Sequence, residues 1–83
     1  MFTLVLKSEG CPNCDMLKRW LTTMEFIEGT YTILLASEVH FDWRPFCVKY
    51  GVKSVPALVN LDTEEVITDL EQIKATLTQY KKD

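Results

Sequence analysis

A cysteine pair placed between a strand-like run and a helix-like segment constrains the fold of this chain more than any other feature. The pair lies in Gly10-Cys11-Pro12-Asn13-Cys14, after the apolar run Phe2–Leu6 and a short loop. Asp15 onward is typical of a helix, so both thiols are predicted at a helix N-terminus, where N–H groups and the helix dipole stabilise a thiolate. A disulfide across so short a ring stabilises by only about 2 kcal/mol, against about 3 kcal/mol for a fifteen-residue loop. The pair is therefore suited to reactivity rather than to stapling the fold.

Composition and charge indicate one folded domain, residues 1–83, with 47% hydrophobic and 25% charged residues. The net charge of -3 argues against electrostatic binding of nucleic acid, which needs a basic surplus. Lys7 interrupts the first apolar run well short of a signal peptide or a membrane span. We therefore expect a cytoplasmic, monomeric protein without a membrane partner.

The cysteine count supports a chemical role. Three cysteines cannot form a fully paired framework, and structural disulfides are rare in the cytosol. A Cys-x-x-Cys in that compartment is more often catalytic or metal-binding.

The hydrophobic pattern predicts an α/β fold in the order β-α-β-α-β-β-α, with a four-stranded mixed sheet and helices on both faces. The predicted helices run from Pro12 to Glu25, from near Asp42 to Gly51, and from Asp69 to Tyr80. The Thr68–Glu71 segment has the form of a capping box for the last helix. The predicted strands are Phe2–Leu6, Tyr31–Ala36, Ala57–Leu61 and Glu65–Ile67, with a turn at Asp62–Glu64.

Two motifs and this order of elements resemble the thioredoxin superfamily in its small glutaredoxin-like form. Cys11-Pro12-Asn13-Cys14 is similar to the Cys-Pro-x-Cys of glutaredoxins, and Tyr50–Leu58 resembles the segment leading into the superfamily's cis-proline. The resemblance implies a cis Val55–Pro56 bond with the Val55 backbone turned outward beside Cys11. An extended substrate segment can pair with such a backbone by strand addition.

The resemblance mixes two branches of the superfamily. Ser8-Glu9-Gly10 before Cys11 fits thioredoxin spacing, yet Gly10 stands where thioredoxins have Trp. Asn13 replaces the aromatic residue usual in glutaredoxins, and Val66–Asp69 replaces the Gly-Gly that helps to seat glutathione. Whether glutathione or thioredoxin reductase recharges the protein therefore stays open.

The two thiols are expected to have different roles. Cys11, at the start of the helix beside Gly10, is the candidate nucleophile, because a thiolate there needs no separate base. Cys14 lies on the apolar stripe that also holds Leu17, Leu21 and Met24, as a shielded resolving thiol should.

Four neighbouring residues are candidate substrate contacts together with Val55 and Pro56. Pro12 stiffens the turn, and Asn13 is expected to face solvent. Lys7 and Lys53 suit an anionic partner such as a glutathione carboxylate, or the Cys11 thiolate, although each also fits a solvated surface. Glu9 would oppose thiolate formation at Cys11.

The third cysteine is expected to pack in the core. Cys47 lies between Phe46 and Val48 in the second predicted helix, where a cysteine behaves as a small hydrophobe. A zinc site formed by Cys11, Cys14, His40 and Cys47 can be written down, but its spacing is long and irregular.

These observations predict a thiol–disulfide oxidoreductase whose Cys11–Cys14 dithiol carries electrons. By resemblance, its partners are disulfide-containing proteins, ribonucleotide reductase among them, and it needs no resident cofactor, with glutathione as a possible co-substrate. Two alternatives remain open: an interaction module in which the cysteines are incidental, and a zinc or iron–sulfur carrier.

Overall fold

The computed structural model describes residues 1–36 and 43–82 and shows a small α/β domain. The predicted order of elements is confirmed, while the expected start of the second helix at Asp42 lies outside the described residues. The elements are β1 (Phe2–Lys7), α1 (Pro12–Thr22), β2 (Tyr31–Ala36), α2 (Trp43–Tyr50), β3 (Ala57–Asn60), β4 (Val66–Ile67) and α3 (Leu70–Thr78).

The strands form one mixed four-stranded sheet in the order β2-β1-β3-β4. β1 pairs with β2 in parallel, with Phe2 opposite Tyr31, as expected when α1 provides the crossover between them. β3 runs antiparallel to both β1 and β4, and the hairpin to β4 places Leu58 opposite Ile67. The predicted mixed sheet is thereby confirmed.

β1 lies in the interior of the sheet, and four of its six residues are apolar. The run from Phe2 to Leu6 is buried throughout, and only Lys7 at its end is exposed. A strand that alternates between two covered faces needs such a continuous apolar run. This strand leads directly into the loop that carries the cysteine pair.

The face of the sheet covered by α1 and α3, here called the α1/α3 face, holds the larger core. Three α1 residues and two α3 residues pack there on side chains from β1 and β3. The buried members are Phe2, Leu4, Leu6, Cys14, Leu17, Leu21, Leu58, Ile73 and Leu77.

The opposite face, here called the α2 face, holds a smaller core. Its buried members are Val5, Ala57 and Val59. α2 contributes Phe46, Cys47 and Tyr50 to this cluster, but none of its residues is fully buried. The prediction that helices cover both faces of the sheet is confirmed. The two faces differ in the number of buried residues they hold.

α1 ends at Thr22, so the prediction that it reaches Glu25 is wrong. The N–H groups of Thr23 and Met24 bond to carbonyls three residues earlier, which tightens and closes the helix. The Thr23 hydroxyl also donates to the Trp20 carbonyl at 2.7 Å. The apolar spacing continues to Met24, which is why the sequence overstated the length.

α3 is capped one residue later than the sequence pattern suggested. The Asp69 carboxylate accepts the Gln72 N–H at 3.2 Å, so Asp69 is the N-cap, and the predicted capping box on Thr68 and Glu71 is wrong. Aspartate is at least as good a cap as threonine, and the helix takes the register that buries Ile73 and Leu77.

In the described ranges 1–36 and 43–82, no helix is long and apolar enough to cross a membrane.

Candidate active site

The cysteine pair lies where β1 passes through a tight turn into α1. Gly10 has φ 69°, a conformation that glycine adopts without steric cost. Cys11 is the N-cap of α1 in an extended conformation, and Pro12 takes the first helical position, where its missing N–H costs nothing. The Asp15 N–H closes the first turn on the Cys11 carbonyl at 3.0 Å. The local sequence therefore places both sulfurs at the helix N-terminus, as predicted.

Cys11 and Cys14 form a disulfide with their Cα atoms 5.2 Å apart. Two backbone donors point at its sulfurs. The Cys14 N–H donates to Cys11 Sγ at 3.1 Å, and the Lys7 N–H donates to Cys14 Sγ at 3.4 Å. Such N–H groups, aligned with the helix dipole, favour negative charge on sulfur.

The two sulfurs differ in their access to solvent. Cys14 has no exposed surface and packs with Leu17 and Leu21 on the α1/α3 face. Cys11 is only partly buried, and its neighbours Pro12 and Asn13 are exposed. A molecule in solution can therefore approach Cys11, while Cys14 is reached through Cys11.

The Val55–Pro56 peptide bond is cis, which confirms the expectation. Pro56 is buried at the start of β3, and Val55 is partly buried and packs against the cores of both faces. Val55 therefore lies between the cores of the two faces, at the same end of the central strands as the disulfide.

A shallow cleft of about 360 Å³, here called the disulfide cleft, brings most of the predicted site residues together. Cys14, Lys53 and Pro56 do not line it. The residues lining the disulfide cleft are Lys7, Gly10, Cys11, Pro12, Asn13 and Val55.

A larger cleft of about 790 Å³, here called the α2 cleft, adjoins it and shares Lys7, Gly10 and Val55 with it. Lys53 lies here, together with residues that sequence reasoning did not assign to a site. These include Arg44 and Ser54. Arg44 lies two residues after Asp42, the predicted cap of the second helix, and a position at the start of a helix beside the sheet is the signal that could have pointed to it.

Cys47 also lines the α2 cleft, and among the described cysteines it is the one outside the disulfide. It is partly buried against the core of the α2 face, in agreement with the predicted packing role. Burial raises the pKa of the Cys47 thiol. The thiol is therefore less readily ionised, and so less reactive, than an exposed cysteine.

The described residues contain no group of three or more His, Cys, Asp or Glu side chains that could hold a metal ion. His40, which the zinc alternative requires, lies outside the described residues. The zinc alternative therefore stays untested.

Comparison with protein-family models, with curated proteins and with solved structures found no match to this chain.

Proposed function

We propose that this protein is a thiol–disulfide oxidoreductase of thioredoxin-like fold, which reduces protein disulfides with its Cys11–Cys14 dithiol. One observation carries the proposal: a disulfide at a helix N-terminus joins a partly exposed sulfur to a fully buried one. A small disulfide ring adds little stability, so its placement is best explained by exchange chemistry.

The nucleophile is assigned from access and hydrogen bonding. In the reduced protein, Cys11 is the thiol that an incoming disulfide can meet, because Cys14 is covered by the α1/α3 core. The N–H of Cys14 faces the Cys11 sulfur and stabilises its thiolate, as the helix dipole also does. A thiolate attacks disulfides, whereas a neutral thiol does not.

The reaction balances within the dithiol. The Cys11 thiolate attacks one sulfur of the target disulfide, forming a mixed disulfide and releasing one target thiolate, which takes up a proton. Cys14 then loses its proton and attacks Cys11 Sγ, which closes the internal disulfide and releases the second target thiol. Two electrons pass to the target, and an external thiol reductant restores the dithiol.

The disulfide cleft suits an extended polypeptide segment rather than a compact small molecule. It is shallow, and Val55 and Cys11 line it together. We infer that the target chain lies along Val55 by backbone pairing, while its cysteine reaches Cys11. The chemistry needs a reducing compartment such as the cytosol and no resident cofactor.

The test is reduction of insulin disulfides by catalytic amounts of protein with dithiothreitol as the terminal reductant. We expect turnover above the rate with dithiothreitol alone. Parallel assays with glutathione plus glutathione reductase, and with thioredoxin reductase plus NADPH, identify the recharging partner. Failure to accelerate insulin reduction with dithiothreitol would overturn the proposal.

Single-cysteine variants test the two roles. Cys11→Ser should abolish turnover, whereas Cys14→Ser should stop it at a mixed disulfide between Cys11 and the target, visible by non-reducing electrophoresis and mass spectrometry. Cys47→Ala is the matched control, and it should retain turnover and also remove a second source of mixed disulfides. Equal activity of the Cys11 and Cys14 variants would contradict the assigned roles.

A further inference from the structure

The described residues that line the α2 cleft carry a net positive charge, whereas the whole chain carries a net negative charge. Among its described residues, Lys7, Arg44 and Lys53 line the cleft with a single carboxylate, that of Glu9. The chain carries 9 Lys and Arg against 12 Asp and Glu. Among the described residues, the positive excess beside the disulfide is therefore a local property of the fold and does not follow from composition.

The charges of both lysines are accessible. Lys7 and Lys53 are exposed, and neither ammonium group has an ion pair with any residue in 1–36 or 43–82. Arg44 differs, since its guanidinium lies 5.5 Å from the centre of the Trp43 ring and has further interactions. The accessible positive charge of the α2 cleft is therefore that of the two lysines.

The position of Lys7 connects the charge to the reacting sulfur. Lys7, Gly10 and Val55 line both clefts, so the two clefts adjoin and a segment bound at Cys11 lies beside the α2 cleft. The volume of about 790 Å³ is within the range of sites that enclose small ligands. It has room for side chains that flank a target cysteine.

We propose that the protein prefers disulfide targets whose segment beside the reacting cysteine is acidic. Aspartate or glutamate side chains of the target pair with Lys7 and Lys53 in the α2 cleft, while the target disulfide lies at Cys11. The inference rests on the proposed function and names its substrate class. Because the lysines are exposed, the preference is moderate and weakens with salt.

The test uses disulfide-linked dimers of one short peptide with a single cysteine flanked by two Asp, two Ser or two Lys residues. Protein reduced beforehand and freed of reductant is mixed with each dimer in a single turnover. Each dimer reduced yields two peptide thiols as the Cys11–Cys14 disulfide forms, so the two electrons are accounted for. The rate constants should fall in the order Asp, Ser, Lys.

Two exposed ion pairs predict a ratio of about tenfold between the Asp and Lys peptides at low ionic strength. The ratio should approach one in about 1 M salt, where the Debye length falls to about 3 Å. Lys7→Gln and Lys53→Gln together should lower the ratio, and Glu9→Gln should raise it. Lys81→Gln and Lys82→Gln together are the matched control, because they remove the same two charges from exposed residues outside both clefts.

The outcomes separate the two proposals. Reduction of none of the three peptides would overturn the proposed function. Equal rates for all three, or a faster Lys peptide, would overturn the acidic preference and leave the proposed function standing. A ratio lowered as much by the Lys81→Gln and Lys82→Gln double variant as by the cleft double variant would assign the preference to net charge and would also overturn the inference.

Discussion

The two faces of the sheet differ in the number of side chains they bury. Among residues 1–36 and 43–82, the α1/α3 face buries nine residues in one cluster, whereas the α2 face buries three, and α2 itself has no fully buried residue. Both faces share the same strands, so the difference comes from the helices. Two helices with strong apolar stripes cover one face, and one short helix covers the other.

The candidate active site lies at the boundary between these faces and uses both. Cys14 is held in the dense core, which keeps the buried sulfur in place beneath Cys11. The larger open space is the α2 cleft on the α2 face, which is lined by α2 residues together with Lys53 and Val55. The α1/α3 face therefore positions the disulfide, and the α2 face leaves room for the target that reacts with it.

The largest effect is expected from a matched pair of leucine truncations. Leu4→Ala on the α1/α3 face removes a fully buried side chain and should destabilise the protein by about 2–5 kcal/mol. Leu34→Ala on the α2 face removes a partly buried one, and its cost should be about half as large. Urea unfolding of both variants with the disulfide intact measures the difference. Equal costs would show that the two faces are equally well packed.

A smaller effect is expected at the start of α3. Asp69→Ala removes the carboxylate that accepts the Gln72 N–H and should cost about 1 kcal/mol. Thr68→Ala is the matched control, because Thr68 is exposed and does not cap the helix, and its stability should remain near that of the unmodified protein. A larger loss at Thr68 would restore the capping box that the sequence pattern suggested.

The smallest effect is expected at Cys47 and concerns pH. Burial raises the pKa of this thiol, so the folded protein keeps its proton at pH values where the unfolded chain has already lost it. Stability should therefore decline slightly as the pH rises above the usual range for a thiol. With the disulfide intact, Cys47 should also react with iodoacetamide more slowly in the folded protein than in urea. Equal alkylation rates would show that the α2 face does not shield the Cys47 thiol.

Most of the fold could be predicted from local patterns. The apolar runs and the spacing of apolar residues along the helices identified all seven elements, since each pattern repeats at the period of its own element. The ends were harder to predict. The apolar stripe of α1 continues past Thr22, and the choice between Thr68 and Asp69 as cap depended on the register that buries Ile73.

The reactive pair was also visible in the sequence, because the spacing and the following proline place it at a helix start. The sequence did not identify Arg44 and Ser54 as lining a cleft beside it, nor separate Lys7, which lines both clefts, from Lys53, which lines one. Residues 7, 44 and 54 are far apart in the chain, and no local pattern relates them.

What the sequence determined by itself was the set of elements and the placement of Cys11 and Cys14, because both follow from interactions within a few residues. The tertiary structure alone decided the unequal number of buried residues on the two faces and the meeting of Lys7 with Lys53 beside the disulfide. These depend on which side chains meet when distant segments pack, and that meeting is governed by the shape and area of the surfaces buried together.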